Sequence, residues 1–480
     1  MSKGTRKHRK AARKTRKQQA GGAFVRKGSY GCSYRPPLAC ANDSQPGTNG
    51  YISKLMSPYS AKEEYAKGAP VRRINTGQAF TLPATHHCKV KPQNALAANL
   101  APCRKDPDPL GGMNVRQADL LYYKNGGKDL ETKLFYTHQL LPFYRSLQGL
   151  FDGLVKLHKA NYVHLDIKPE NVTVEGQGPF TARFIDFGLG TEIKDALREI
   201  VDNHLHTDAI YSFWPPEMIF LQRNLFFSGY REMDENTYER ENIEDLIEAC
   251  IYRLQTEKKA NIWKLQENYY RVPDYIMVTR DNESPLDYGE VINSLYRRPF
   301  RSLYIPFERV SSPEFEAWVG KQTLQGAREW IFDILDRPSD EELNMKNPTR
   351  GQQATMDVLG KLLKGVDMYS MGILLSFAIS HLGFSAYWDD KGDVAPILYT
   401  QKGDEVDLET LEPEMREFVE GFFHGGILPM FTLINRCMDY DYMTRISAEE
   451  AAKTYANGLI SLSNYMETPQ FQDFMKFLES

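Results

Sequence analysis

Tyr162-Val163-His164-Leu165-Asp166-Ile167-Lys168-Pro169-Glu170-Asn171-Val172, followed by Phe184-Ile185-Asp186-Phe187-Gly188, is the most chemically loaded stretch of this 480-residue chain. Two carboxylates, an ammonium and a carboxamide stand there, at Asp166, Asp186, Lys168 and Asn171. Upstream, Phe143, Leu147, Leu150, Phe151, Leu154 and Leu157 recur at steps of three and four, which predicts an amphipathic helix delivering the chain into a loop. Downstream, Val172-Thr173-Val174 and Arg183-Phe184-Ile185 read as short strands that hold Asn171 and Asp186 on a rigid frame.

Groups of this kind suit phosphoryl transfer, which needs cations across the phosphates, oxygen ligands for those cations and an oriented nucleophile. Asp166 would accept or orient a hydroxyl proton, and Lys168 would neutralise charge on the moving phosphoryl group. Asn171 and Asp186 offer the hard oxygens that Mg²⁺ prefers. The alternative is a polar surface loop followed by an accidental turn. Seven specified positions (His164, Asp166, Lys168, Asn171, Asp186, Phe187 and Gly188) make that coincidence on the order of one in a billion per start position.

At these residues the chain resembles the protein kinase superfamily, in its serine/threonine branch, and the resemblance continues in order along the sequence. Lys27-Gly28-Ser29-Tyr30-Gly31-Cys32 resembles the glycine-rich loop over the nucleotide phosphates, with Arg26 where the first glycine stands in the family. Lys54 fits the strand lysine for the α- and β-phosphates, with Glu63 or, preferably, Glu64 as its helix partner. Asn114 to Tyr123 would lead into the hinge, Tyr122 to Gly126 would lie near the adenine, and Asp129 would open the next helix. Phe213-Trp214-Pro215-Pro216-Glu217 resembles the signature closing the activation segment. Asp367 resembles the Asp of the large lobe's central helix, and Arg445 the partner of Glu217. Ser447 and Glu450 independently make a capping-box pattern. The resemblance implies an α+β, bilobal kinase fold with ATP between the lobes, ATP and Mg²⁺ (Mn²⁺ substituting) as cofactors, and protein substrates.

Several departures carry implications. Leu165 replaces the arginine that would grip a phosphorylated activation segment, which points away from that form of switching. Ile210-Tyr211-Ser212 lacks the usual threonine. The connection from Arg35 to Gly50 is long. Most of all, 150 positions separate Glu217 from Asp367 where the family has a short link. Helical steps at Ile243, Leu246, Ile247 and Ile251 predict a packed helical insertion, either a recognition element or a buttress. The expected organisation is a basic arm at 1–21, a small lobe at 22–125, a large lobe at 126–217 and 356–480, and the insertion at 218–355. A pseudokinase scaffold is the competing class, opposed by the retention of Lys54, Asp166, Lys168, Asn171 and Asp186. A small-molecule kinase is opposed by the Pro215-Pro216-Glu217 signature, Asp367 and Arg445.

Composition sets the outer limits. With 41% apolar and 25% charged residues the chain is built like a globular protein. Residues 1–20 carry nine Lys or Arg and no acid; without them 50 basic residues face 63 acidic ones, a balance of −13. Such an arm seeks nucleic acid or an acidic protein surface, or serves as a nuclear-import address. Ser370 to Trp388 is the nearest approach to a membrane span, and its His, Ser and Gly content favours a core helix, so no transmembrane segment is expected. Six cysteines without CxxC spacing predict free thiols in a reducing compartment. Cys32, Cys40, Cys88 and Cys103 lie near His86 and His87, but their irregular spacing favours thiols over zinc. Gly28-Ser29-Tyr30-Gly31-Cys32 with Tyr34-Arg35-Pro36-Pro37-Leu38, Cys40 and the Pro-Pro-Glu variant resembles the divergent kinases of large DNA viruses, implying a protein of the host cytoplasm or nucleus, or of the virion.

Overall fold

The computed structural model describes residues 22–196 and 350–479 together with Phe213 and Pro215, apart from positions 29, 43, 45, 48, 76–77, 93–100, 105–107, 389–393 and 440–443. The basic arm, Ile210-Tyr211-Ser212, Glu217 and all but the last six positions of the 218–355 insertion therefore lie outside the described residues. What is described is a mixed α+β chain in two compact units. Among the described residues, the first comprises those up to 128 with 173–175 and 183–190, and the second those of 129–172, 176–182 and from 191 onward.

In the first unit, β1 (Ala23–Gly28), β2 (Gly31–Arg35), β3 (Tyr51–Met56), β4 (His86–Lys89) and β5 (Asp119–Lys124) form an antiparallel sheet in the order β1-β2-β3-β5-β4. Helix α1 (Pro58–Ile74) packs on β4 and β5. Its start is specified locally: Ser57 Oγ accepts from Ser60 N–H at 3.1 Å, and Pro58 occupies the first turn, where a missing N–H costs nothing. Strand β5 is apolar on both faces because both are covered. Leu120 and Tyr122 pack with Tyr34, Leu38 and Leu55, while Leu121 and Tyr123 pack with Met56, Ala61 and Ala84. Each such side chain contributes about 1.5–3 kcal/mol on burial. The strand starts at Asp119, later than Asn114, because Val115–Gln117 forms a 3-10 turn.

The cysteine expectation is overturned here. Cys32 is bonded to Cys103 and Cys40 to Cys88, across 71 and 48 positions. Pairing follows the strand neighbourhood, in which Cys32 and Cys88 lie on β2 and β4 while Cys40 bridges to Val90, and none of this registers as a local spacing. Cys437 is a free thiol, which burial pushes up to about 12.

Short strands β6 (Lys128–Asp129), β7 (Tyr162–Val163), β8 (Val172–Glu175), β9 (Thr181–Phe184) and β10 (Thr191–Glu192) punctuate the middle of the described chain. Asp129 opens no helix; it sits in β6, and its carboxylate accepts from Thr132 N–H at 2.8 Å. The next helix, α2 (Thr137–Lys159), buries Phe143, Leu147, Leu150, Phe151, Leu154 and Leu157 as their periodicity demands. In the second unit α2 packs on α6, and α3 (Arg350–Ile379) packs on α5. Between α3 and α5 in sequence lie the small sheet β11 (Phe384–Trp388), β12 (Val394–Tyr399) and β13 (Glu405–Val406), then α4 (Pro413–Phe422). A π-turn at Phe423–Ile427 leads to α5 (Leu428–Cys437), α6 (Ala448–Met466) and α7 (Pro469–Glu479). Tyr455 of α6 stacks on Phe151 at 4.6 Å and donates its hydroxyl to Tyr144 O at 2.7 Å. The stretch Gly360–Leu382 is long and apolar enough to cross a membrane, yet 89% of its apolar window is buried, as a core helix requires. Helix α6 begins where the capping pattern places it, with Ser447 Oγ accepting from Glu450 N–H at 3.2 Å.

Candidate functional site

The predicted site residues fall into two sets. Lys54, Glu64, Gly28, Gly31 and Asp186 belong to the first unit, and Asp166, Lys168 and Asn171 to the second.

In the first unit, β3 carries Lys54 into a buried setting, and α1 presents Glu64 one helical face away. Lys54 Nζ lies 2.8 Å from Glu64 Oε2 and 3.3 Å from Asp186 Oδ2. The partner is Glu64 and not the exposed Glu63. Tyr123 on β5 donates its hydroxyl to the other oxygen of Glu64. Burial alone would lower the Lys54 pKa, but the carboxylates of Asp186 and Glu64 outweigh it and hold the amine protonated, above its ordinary 10.5. Burial pushes the Glu64 carboxyl up, against the pull of Lys54. Burial, then the nearby Glu64, pushes the Tyr123 phenol well above 10.0. Two carboxylates around one ammonium leave an anionic surplus, and the Asp186 side chain is 35% exposed, so this donor set fits an added cation of the Mg²⁺ type. Asp186 holds a left-handed φ of 61°, and its Oδ1 accepts from Gly188 N–H at 3.3 Å.

Gly28 and Gly31 pair across the β1–β2 turn. They are not equivalent. A Cβ on Gly31 would meet Leu55 O and Met56 Cγ, both at 2.6 Å, whereas on Gly28 it would meet only Gly31 O at 3.7 Å. Gly31 is thus required by the sheet, and Gly28 leaves open space above the turn.

In the second unit, β7 delivers the chain into His164–Asn171. Leu165, Ile167 and Pro169 are buried, which turns the intervening Asp166 and Lys168 the other way, toward partial exposure. Lys168 Nζ lies 3.0 Å from Asp166 Oδ1. Asn171 Nδ2 donates to Asp166 Oδ2 at 2.6 Å and to Asp166 O at 2.9 Å. Both carboxylate oxygens therefore receive protein donors, and the Asn171 amide oxygen is turned away from Asp166. The loop is anchored from α3: Asp367, fully buried, accepts from His164 N–H at 2.9 Å, Leu165 N–H at 2.8 Å and His158 Nε2–H at 3.1 Å. Leu165, standing where an arginine was expected, has φ 58° and a fully buried side chain. Arg445 donates to Asp439 O and Gly365 O; its expected partner Glu217 is outside the described residues.

Tyr123 and His158 had no motif to announce them. The available signal for Tyr123 was its place two residues beyond Leu121, on the same face of β5. No family model matches the chain, and no curated protein matches it.

Proposed function

We propose that this chain is a serine/threonine protein kinase, with the bilobal kinase fold and a helical insertion at 218–355, transferring the γ-phosphoryl group of ATP to protein hydroxyls. The observation that carries the reading is that Lys54, Glu64 and Asp186, separated by 10 and 132 positions, form one ion-paired set. A scaffold has no need to assemble two carboxylates on a buried ammonium, whereas a phosphate-binding lysine does.

Asp166, its two oxygens engaged by Lys168 and Asn171, takes the proton of the attacking hydroxyl as that oxygen bonds to the γ-phosphorus and the bridging β–γ bond breaks. Lys168 offsets charge on the moving group. Lys54, kept protonated by Glu64 and Asp186, engages the α- and β-phosphates, and Tyr123 steadies Glu64. Asn171 and Asp186 would hold Mg²⁺, which when bound screens the phosphate charge. On this reading the protein acts in the host cytoplasm or nucleus, or in the virion, with residues 1–20 directed to nucleic acid or an acidic protein surface.

The test is phosphate transfer from γ-labelled ATP with Mg²⁺ to a panel of acidic, basic and neutral proteins, for wild type, Asp166→Asn and Asp186→Asn. Labelling of serine or threonine by wild type alone supports the reading. ATP binding without transfer to any protein, itself included, gives the site to the pseudokinase scaffold.

A further inference from the structure

Alternation along β4 puts His86 and Cys88 on one face, and the Cys40–Val90 bridge lays Cys40 beside them. The ligand atoms of Cys40, His86 and Cys88 all lie within 4.8 Å of one another. Backbone bonds maintain this independently of the disulfide, since Ala41 N–H donates to Lys89 O and Lys91 N–H to Ala39 O, both at 2.8 Å. The imidazole is oriented as well. Ser44 Oγ–H donates to Asn42 Oδ1 at 2.6 Å, so its 3.0 Å contact with His86 Nε2 must be a ring N–H donating to Ser44, which leaves the lone pair on Nδ1. A metal-ligating histidine is oriented by this same kind of outer hydrogen bond. His87, by contrast, is taken by Asp119 at 2.7 Å.

The two disulfides differ in access. Cys32 and Cys103 are both fully buried, whereas in the second pair Cys40 is buried but Cys88, with His86 beside it, is partly exposed and open to attack at its sulfur. We propose that Cys40, Cys88 and His86 form a zinc site that alternates with the Cys40–Cys88 disulfide according to redox state. A dithiol reductant delivers two electrons and two protons, opening the S–S bond to two thiols as its own thiols close to a disulfide. Zn²⁺ then displaces both thiol protons to solvent, two thiolates neutralise the dication, Nδ1 of His86 is the third ligand and water the fourth. A small-molecule disulfide reverses the exchange: it takes the two electrons and leaves as two thiolates while the Cys40 and Cys88 thiolates join in an S–S bond, and Zn²⁺ is released to solvent. Tetrahedral zinc holds its sulfurs about 3.8 Å apart, from Zn–S bonds of about 2.3 Å. Rotation about the Cα–Cβ bonds reaches that separation with the Cα atoms 5.7 Å apart.

The experiment loads full-length protein with Zn²⁺ under a phosphine reductant and without oxygen, desalts it and measures bound zinc, alongside the oxidised protein. About one zinc per chain is expected in the reduced protein and almost none in the oxidised. His86→Ala keeps the cross-link, so its oxidised form should melt as wild type does while its reduced form retains zinc about 10-fold or more weakly. Three results each overturn the proposal: reduced wild type holding no more zinc than the Cys40→Ser/Cys88→Ser variant, zinc retention unaffected by His86→Ala, or loss of folded structure on reduction.

Discussion

The backbone N–H of Leu165 donates to Oδ1 of Asp367 at 2.8 Å, across 202 positions of sequence. Leu165 occupies left-handed backbone space that costs a residue with a side chain about 1–2 kcal/mol. The strain persists because Asp367 over-determines the loop, accepting from His164 and His158 as well.

Asp367→Ala should therefore leave three buried donors without their acceptor. At roughly 1–3 kcal/mol for each unsatisfied group, the loss is about 3 kcal/mol or more. Hydrogen exchange localises it: the His164 and Leu165 amides should lose protection first, while β2 and β3 keep theirs. Unchanged exchange at those two amides would show that the anchor is dispensable.

The glycine turn makes an asymmetric prediction. Gly31→Ala forces a Cβ against the Leu55 carbonyl and Met56, and should lower the melting temperature of the first unit. Gly28→Ala meets nothing closer than 3.7 Å and should leave the melt unchanged. If Gly28→Ala nonetheless weakens ATP binding, the space over the turn belongs to the nucleotide.

Lys54 should resist amine-selective acylation at pH values where exposed lysines react, because its folded-state pKa lies above 10.5. The ion-pair contribution to stability is complete below 10.5 and is lost as pH rises through the higher folded value. Lys54→Met should flatten that alkaline loss. Peptide mapping of acylated protein, before and after denaturation, reads the first effect, and melting across alkaline pH reads the second.

Removing the buried cross-link by Cys103→Ser should destabilise the first unit by about 2–5 kcal/mol, since the bond closes a long loop of chain. Non-reducing peptide mapping of wild type should recover Cys32 joined to Cys103 and Cys40 joined to Cys88. A different pairing would refute the assigned connectivity.

Much of the framework was legible in the linear chain because it is written in short-range periodicity. The 3.6-residue recurrence from Phe143 to Leu157 is α2, the apolar runs flanking the loop are β8 and β9, and Ser447 caps α6. Polar residues of the proposed site could be nominated from the sequence too, since Asp166, Lys168, Asn171 and Asp186 are close in sequence and chemically improbable as decoration.

The amino-acid sequence by itself determined α2, β8, β9 and the start of α6, and which polar groups are candidates for chemistry, since local backbone preference and side-chain period act over a few residues. Tertiary structure alone decided that Tyr123 completes the Lys54–Glu64 pair, that Asp367 holds Leu165, and that four cysteines are joined. Each of these depends on strands and helices distant in sequence being brought side by side, and a 2.8 Å bond or a shared sulfur pair leaves no regular spacing in the chain to find.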